Sequence, residues 1–122
     1  MAYVDGFILL VPKKNRKEYK KMAEEGKRTW LKHGAIDYQE CRMDDDTRAK
    51  YGTLSFAKMV KAKAGEEVWL SYIVYKSKGD RARINKLVMK EMETMYSEKD
   101  MKNMPFKMNR MSVAGFAVEV GK

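Results

Sequence analysis

The chain has 122 residues, of which 44% are hydrophobic and 35% are charged, and its formal net charge at pH 7 is +9. This composition excludes a disordered chain, and the length is that of a single domain, residues 1–122, with enough apolar side chains for its own core. No apolar run is long enough to cross a bilayer, no signal-peptide pattern is present, and the single cysteine cannot form an internal disulfide. We therefore expect a cytoplasmic protein without a membrane partner.

The N-terminal part of the chain predicts a strand followed by a helix. Residues 3–11 are rich in β-branched and aromatic side chains and end at Pro12, which marks a turn after the first strand. Asn15 and Glu18 have the spacing of a capping box, and apolar side chains then recur at helical intervals. Gly34 is a typical C-terminal stop, so we expect the first helix to end there.

The middle of the chain predicts a second strand and then a segment whose pattern fits two structures. The strand is expected at about residues 35–43, and the polar residues 44–54 have no clear period and predict a loop. Residues 54–64 fit a short helix through Phe56 and Met59, but they also alternate as a strand does. The sequence leaves both structures open for this segment.

The C-terminal half repeats the order strand, helix, strand. Residues 68–75 predict a third strand, and Ser77 and Asp80 have capping-box spacing at the start of a second helix with an apolar stripe. An irregular stretch around residues 103–106 precedes a final strand at about residues 111–120.

The two halves match in pattern when they are aligned at a constant offset. The offset that places Phe7 on Tyr72 also places Asn15 on Asp80, so strand, turn, capped helix and apolar stripe recur at corresponding positions. Two split βαβ units of this kind predict an α+β fold of the ferredoxin-like type, βαββαβ. We expect a four-stranded antiparallel sheet with both helices on one face.

Both faces of the predicted sheet are apolar. The first strand has apolar residues on each face: Val4, Ile8 and Leu10 on one, and Phe7, Leu9 and Val11 on the other. Helices can cover only one face, and the other would leave an apolar patch in water that is larger than soluble monomers tolerate. We expect a homodimer that pairs through this sheet face into a dimeric α+β barrel, with cover by residues 44–64 of the same chain as the alternative.

Short motifs spread over nearly the whole chain resemble those of one known family. They are Tyr3-Val4-Asp5-Gly6-Phe7, Val11-Pro12-Lys13-Lys14-Asn15, Trp30-x-x-His33-Gly34-Ala35, Ser71-Tyr72-Ile73-Val74-Tyr75 and Met104-Pro105-Phe106. These motifs are similar to those of the YbaA-like proteins, a bacterial family of unknown function in the dimeric α+β barrel superfamily. The resemblance implies a ferredoxin-like protomer whose sheet joins a partner's sheet in a barrel, in many relatives with a cleft between sheet and helices. Residues 44–51 and 107–109 depart from the family's usual loops, which would alter the rim of such a cleft.

Two titratable residues are candidate catalytic groups. Asp5 lies in an otherwise apolar strand, where an unpaired carboxylate would be costly. It is either an acid/base group that faces a cleft or the partner of a basic side chain, and we favour the second interpretation. His33, the only histidine, lies near the C-terminal end of the first helix, where it would act as a general base or pack as a structural residue.

Five further residues are candidate ligand-binding groups. Tyr38, Glu40, Tyr72 and Tyr75 place hydroxyls and a carboxylate on predicted strands, where they would supply donors and acceptors to a cleft. Arg110 precedes the final strand and would bind an anionic group bidentately or form an ion pair between subunits. Each of these residues is equally an ordinary component of a sheet.

Metal, cofactor and nucleophile sites have little support in the sequence. One histidine and one cysteine are too few for a zinc set, and packing explains the eleven methionines better than soft-metal binding does. Cys41 has no activating neighbour in sequence beyond Arg42, and a glycine-rich phosphate loop is absent. We predict no metal and no cofactor.

Three functions are open from the sequence. The first is the binding of a small anionic or aromatic metabolite in the cleft, with cofactor-free acid/base chemistry by Asp5 and His33. The second is the binding of nucleic acid or an acidic partner by the basic residues 13–21, which we favour less than a solvated helix face because no nucleic-acid motif accompanies the charge. The third is a structural oligomer without a ligand. The sequence leaves open whether the protein is an enzyme.

Overall fold

Four strands and two long helices form the frame of the molecule in a computed structural model, which describes residues 1–122 except the side chains of residues 48 and 49. The strands are β1 (Tyr3–Pro12), β2 (Asp37–Arg42), β3 (Glu66–Tyr75) and β4 (Met111–Ala117), and the helices are α1 (Arg16–Lys32), α2 (Phe56–Met59), α3 (Lys78–Met95) and α4 (Glu98–Lys102). Short 3₁₀ turns cover Lys13–Asn15, Thr47–Tyr51 and Met108–Arg110. Over the part of the chain that the structure describes, none of the helices is long and apolar enough to span a membrane.

The strands form one sheet in the order β2-β3-β1-β4, and every neighbouring pair is antiparallel. In the centre of the sheet, Asp5 of β1 lies opposite Ile73 of β3 on one side and Gly115 of β4 on the other. The predicted α+β class and the predicted four-stranded antiparallel sheet are therefore confirmed.

The helix ends agree with the sequence at two positions and differ at a third. Gly34, at φ +115°, follows α1 in a conformation that favours glycine, and the Ser77 side chain accepts a hydrogen bond from the Asp80 backbone N–H at the start of α3. The predicted capping box at Asn15 does not form, because the Asn15 Nδ2 donates instead to the Pro105 carbonyl at 3.0 Å. A long-range contact has replaced the local one.

The segment between β2 and β3 contains a short helix within residues 54–64, where the sequence left helix and strand open, and the predicted loop at residues 44–54 contains the 3₁₀ turn Thr47–Tyr51. A one-turn helix, α2, begins after Ser55, and the Asp46 carboxylate accepts hydrogen bonds from the Ser55 hydroxyl and from the backbone N–H groups of Phe56 and Ala57. Strands β2 and β4 are both shorter than expected, since β2 covers less than residues 35–43 and β4 ends at Ala117 instead of about residue 120.

The core lies between the helices and one face of the sheet. Two clusters of buried residues form it: Leu9, Val11, Tyr19, Trp69 and Phe106, and Ala35, Ile73, Tyr75, Ile84 and Val88. The strand residues in both clusters are odd-numbered positions of β1 and β3, which point to the same face of a pleated sheet. Helices α1 and α3 therefore pack on this face.

The other face of the sheet carries no helix, and it is largely apolar on β1, β3 and β4, whereas β2 contributes Asp37, Gln39 and Cys41 to it. We call its even-numbered positions the open sheet face: Val4, Gly6, Ile8, Leu70, Tyr72, Val74, Ala114 and Phe116. Leu70 is 45% exposed and Phe116 is 56% exposed, whereas Leu10 and Val68, farther along the same strands, are buried. Residues 59–61 lie beside that buried end, so the segment that was the alternative cover reaches only one end of the face.

Candidate functional site

A half-buried carboxylate, Glu40 on β2, accepts hydrogen bonds from three hydroxyl groups. Tyr19 donates to Glu40 Oε1 at 2.6 Å, Tyr38 donates to Oε2 at 2.7 Å, and Ser71 also donates to Oε1. We call these four residues the Glu40 cluster. Among the side chains that the structure describes, no lysine, arginine or histidine forms an ion pair with this carboxylate.

Strand register and helix packing bring the Glu40 cluster together between the sheet and α1. Glu40 lies opposite Ser71 in the pairing of β2 with β3, and Tyr38 lies two residues earlier on the same face of β2. Tyr19 is on the buried side of α1, and its ring packs edge-on against Trp69 with 4.9 Å between the centroids. The Glu40 cluster is therefore a group of polar side-chain atoms within the apolar core between the sheet and α1.

Gly26 allows the Tyr38 hydroxyl to lie against the backbone of α1. A Cβ atom built at Gly26 would be 2.8 Å from the Tyr38 Oη, which is closer than real Cβ contacts come. Glycine in a helix interior costs about 0.5–1 kcal/mol relative to alanine. The approach of the tyrosine hydroxyl explains why a glycine occupies this buried helical position.

The two tyrosines act as hydroxyl donors to Glu40. Burial, followed by the negative charge of Glu40, raises the pKa of Tyr19 and of Tyr38 far above that of an exposed tyrosine. An ionised carboxylate has roughly four acceptor positions, and the three hydroxyls occupy two on Oε1 and one on Oε2. Among the side chains that the structure describes, none occupies the second acceptor position on Oε2, which suits a hydrogen-bond donor of a ligand.

Asp5 is buried and has its own partners on β3 and α3. The Arg81 Nε donates to Asp5 Oδ1, and the Tyr75 hydroxyl donates to Oδ2, both at 2.8 Å. Burial, followed by the hydrogen bond to Asp5, raises the pKa of Tyr75, and the hydrogen bond to Asp5 raises the pKa of Arg81. The guanidinium group also lies 5.3 Å from the centre of the Tyr3 ring. Arg81 is thus the basic partner that the sequence favoured for Asp5.

Trp30 and Asn85 connect this ion pair with the Glu40 cluster. The Trp30 Nε1 donates to Asn85 Oδ1 at 3.2 Å, and the Tyr75 hydroxyl lies 3.1 Å from the same oxygen. The rings of Trp30 and Tyr38 are 6.1 Å apart between centroids. A layer of polar and aromatic groups therefore continues from one carboxylate towards the other beneath the helices.

His33 has a different environment, at the C-terminal end of α1. Its Nε2 is 3.4 Å from Glu91 Oε1, an oxygen that also accepts a hydrogen bond from Lys32 at 2.5 Å. None of these groups is a partner of Asp5. The structure thus gives Asp5 and His33 separate partners, and their joint acid/base role stays a prediction.

Arg110 and Tyr72 lie away from the Glu40 cluster. Arg110 donates bidentately to Glu66 of the same chain at 2.9 and 2.6 Å, and its Nη2 also donates to the Lys61 carbonyl at 3.0 Å. Tyr72 is half-buried on the open sheet face. Arg110 is therefore engaged in an ion pair within the chain, and a ligand-binding role for either residue stays a prediction.

Of the seven residues that the sequence singled out, the structure joins Tyr38 with Glu40 and Tyr75 with Asp5. The residues that complete the two polar clusters were not recognised as site residues: Tyr19, Trp30, Ser71, Arg81 and Asn85. The spacing of two between a tyrosine and a glutamate on β2 was a usable signal, because such residues share a face of the sheet. Tyr19, by contrast, was hidden in the apolar stripe of its helix.

Neither of two surface grooves is lined by the Glu40 cluster. One, of about 200 Å³, lies between α1 and α3 and includes Thr29, Glu91 and Met95. The other, of about 310 Å³, lies against the open sheet face and includes Ile8 and Met59. Among the described residues, no group of three or more His, Cys, Asp or Glu side chains is placed to hold a metal ion.

The basic residues near the start of α1 are on the surface. The five lysines of this stretch are exposed: Lys13, Lys14, Lys17, Lys20 and Lys21. Arg16 differs from them, since it pairs with Glu67 of β3 and its pKa is raised by the hydrogen bond to that carboxylate. The lysines form the solvated face that the sequence favoured, and binding of an anionic partner to it stays a prediction.

Comparison with known proteins finds relatives of nearly the same length. Residues 2–108 match a family described as "Protein of unknown function (DUF1428)". Proteins named "Uncharacterized protein YbaA" from Escherichia coli strain K12, E. coli O157:H7 and Shigella flexneri are each 34% identical to the chain over 117 residues. Each match covers 95% of this chain and 95% of the relative.

Proposed function

The chain belongs to the DUF1428 family of proteins of unknown function, with the YbaA proteins among its relatives, and on this basis we propose a function from its own geometry. The protein is a cytoplasmic homodimer of ferredoxin-like protomers, and it binds a small metabolite between the sheet and the helices, at the Glu40 cluster. The observation that carries the binding site is a carboxylate held by three hydroxyls, with no cationic side chain paired to it among those described.

The strand order and the position of the helices support the ferredoxin-like protomer. The order β2-β3-β1-β4, read from β4, places the two strands that start the βαβ units side by side in the centre. Both long helices follow a central strand and pack on the same face. Cys41, exposed and unpaired, is compatible with the reducing cytoplasm.

The open sheet face supports a homodimer. Leu70 of β3 and Phe116 of β4 are exposed on it, and half-buried Val4 and Ile8 of β1 lie on the strand between them, so it is an apolar face of a kind that soluble monomers rarely leave in water. We expect Leu70→Asp to yield monomers in sedimentation experiments, because a charge would be buried between the sheets. Leu87→Asp, at a leucine of α3 with similar exposure, is the matched control and should leave the assembly unchanged. Dimers of unchanged affinity in Leu70→Asp would overturn the sheet-face assembly.

The chemistry of the Glu40 cluster defines the kind of ligand. The free acceptor position on Glu40 Oε2 suits a ligand with an O–H or N–H donor, and the adjacent Trp30 ring suits an aromatic or apolar portion. The negative charge of the carboxylate disfavours an anionic group at this position. The proposed ligand therefore has a neutral or cationic donor here, in place of the anionic group that the sequence led us to expect.

A thermal-shift screen of small hydroxylated and amino compounds tests the proposed ligand. A compound present at 100 times its Kd adds about 2.7 kcal/mol to the free energy of unfolding, which is a readily measured shift. Glu40→Gln should weaken the binding of any hit by at least about tenfold, because the amide replaces an acceptor oxygen and removes the charge. Glu93→Gln, on the exposed side of α3, is the control. Hits that bind Glu40→Gln equally well would exclude this site, and a screen without hits would favour the structural oligomer.

A further inference from the structure

Residues 54–61, which we call the arm, expose apolar side chains, and residues 59–61 line a groove against the open sheet face. Leu54 is 60% exposed and Met59 is 66% exposed, and Phe56 is exposed as well. These three exposed apolar side chains lie within six residues of the chain. An apolar surface of this kind requires a partner if it is to be removed from water.

Polar contacts hold the arm in this exposed position. At its start, the Asp46 carboxylate accepts three hydrogen bonds from residues 55–57 and thereby fixes the first turn of α2. At its end, Arg110 donates to the Lys61 carbonyl while it pairs with Glu66 of β3. The arm is therefore anchored at both ends by side chains from outside it, although its own apolar side chains are not buried.

The backbone at the end of the arm is strained. Lys61 has φ 57°, and it is the only residue other than glycine with positive φ in the described chain. A side chain in this left-handed region costs about 1–2 kcal/mol. Such a cost is retained where the surroundings enforce a particular direction of the chain, and here the enforced direction brings residues 59–61 alongside the sheet.

The arm lies at one end of the open sheet face and leaves the other end uncovered. The groove of about 310 Å³ is bordered by Met59 and Val60 of the arm and by Ile8 and Leu10 of β1. The arm therefore lies beside the Leu10 end of the face, while the opposite end, which includes Phe116 of β4, has no cover. Each copy thus has an apolar projection at one end of the sheet and an uncovered apolar surface at the other.

We propose that, in the homodimer, the arm of each protomer packs on the uncovered end of the partner's open sheet face. This inference rests on the proposed sheet-face dimer and deepens it, because it specifies the direction of the two-fold axis. An axis that lies between the sheets and runs across the strands exchanges the two ends, so each arm meets the partner's Phe116. An axis along the strands would instead bring arm against arm.

The area of the interface favours a contribution from the arm. Strands about 4.8 Å apart and about seven residues long, at about 3.3 Å per residue, give the four-stranded face an extent of roughly 19 by 23 Å, or about 440 Å² in projection. A standard interface buries about 800 Å² per partner. Side-chain relief supplies part of the difference, and two exchanged arms supply further apolar contact on both sides.

Sedimentation of a variant in the arm distinguishes the contribution of the arm to dimerisation from that of the sheet face. We expect Met59→Asp to weaken the dimer by at least about tenfold, because a charge replaces an apolar side chain in the interface. Met101→Asp, at a 56% exposed methionine of α4, is the matched control and should dimerise as the wild type does. Both methionines are exposed in the protomer, so neither substitution should change the unfolding midpoint of the monomer.

Cross-linking between two differently labelled proteins tests the direction of the axis. In a Cys41→Ser background, Met59→Cys protein is mixed with Phe116→Cys protein and treated with a short bismaleimide. The proposal predicts a cross-linked heterodimer of the two proteins and little product from Met59→Cys alone. Efficient cross-linking of Met59→Cys with itself would overturn it in favour of arm-to-arm contact.

The outcomes also separate this inference from the proposed dimer. If Met59→Asp dimerises with unchanged affinity and Leu70→Asp does not dimerise, the arm proposal is wrong and the sheet-face dimer stands. If the wild type sediments as a monomer at every concentration, both proposals fail.

Discussion

Gly26→Ala offers a direct test of the contact between α1 and the Glu40 cluster. In an ordinary helix interior this substitution stabilises a protein by about 0.5–1 kcal/mol. Here the added methyl carbon would meet the Tyr38 hydroxyl at 2.8 Å, so the hydroxyl must move away from its 2.7 Å hydrogen bond to Glu40. A hydrogen bond to a charged group contributes about 1.5–3 kcal/mol. We therefore expect Gly26→Ala to lower the free energy of unfolding by about 1–2 kcal/mol.

In a Tyr38→Phe background, Gly26→Ala should change the free energy of unfolding in the opposite direction. Without the hydroxyl, the nearest atoms to the new methyl group are the ring carbon of residue 38 at 3.6 Å and Trp30 at 3.7 Å, which are ordinary contacts. Only the helix-propensity gain then remains, so Gly26→Ala should raise the free energy of unfolding by about 0.5–1 kcal/mol. Urea unfolding of the two single variants and the double variant gives both values in one double-mutant cycle.

An equal loss in both backgrounds would refute this reasoning. It would mean that the methyl group disturbs helix packing in general and that the Tyr38 hydroxyl is not the group displaced. Comparable slopes of the unfolding curves in urea are required for the comparison, since a changed slope indicates a different denatured or native state.

Three further substitutions test other features of the structure. Asp5→Asn should lower the free energy of unfolding by about 2–3 kcal/mol in urea denaturation, because the charge-assisted hydrogen bond from Arg81 is lost. The hydrogen bond from Arg110 lowers the pKa of the Glu66 carboxyl below its ordinary value. The stabilisation from this ion pair is therefore complete above the unfolded-state pKa of Glu66 and is lost as the pH falls through its folded-state pKa. Glu66→Gln should accordingly reduce the decline of stability in acid. Asp46→Ala should speed amide hydrogen exchange in residues 56 and 57, whose backbone N–H groups donate to the Asp46 carboxylate.

Each of these substitutions has a simple control. Asp44→Asn, at an exposed carboxylate, should leave stability within about 0.5 kcal/mol of wild type. Glu119→Gln, in the exposed C-terminal tail, should leave the acid limb of the stability profile as it is, and an equal change there would remove Glu66 as its cause. Unchanged exchange in residues 56 and 57 of Asp46→Ala would show that the Asp46 carboxylate does not hold the first turn of α2.

Local features of the sequence determined the secondary structure and the character of the sheet. Gly34 and Ser77 acted as helix stop and start because backbone conformation and capping depend on residues within one turn. The apolar residues on both faces of β1 and β3 followed from the period of two along a strand, and they remain on both faces in the folded chain. The sequence also required a partner for Asp5, because a buried carboxylate is costly when it is alone.

Only the tertiary structure decided which polar groups meet. Glu40 is 31 residues from Ser71 and Asp5 is 76 residues from Arg81, so strand register and helix packing, which no local pattern encodes, bring them together. Asn15 is a case in which a long-range partner replaced the predicted local one. Its spacing to Glu18 predicted a capping box, but its side chain donates instead to the Pro105 carbonyl. Residue types and periods are local properties, whereas hydrogen-bond partners depend on distances that exist only after the sheet and helices have packed.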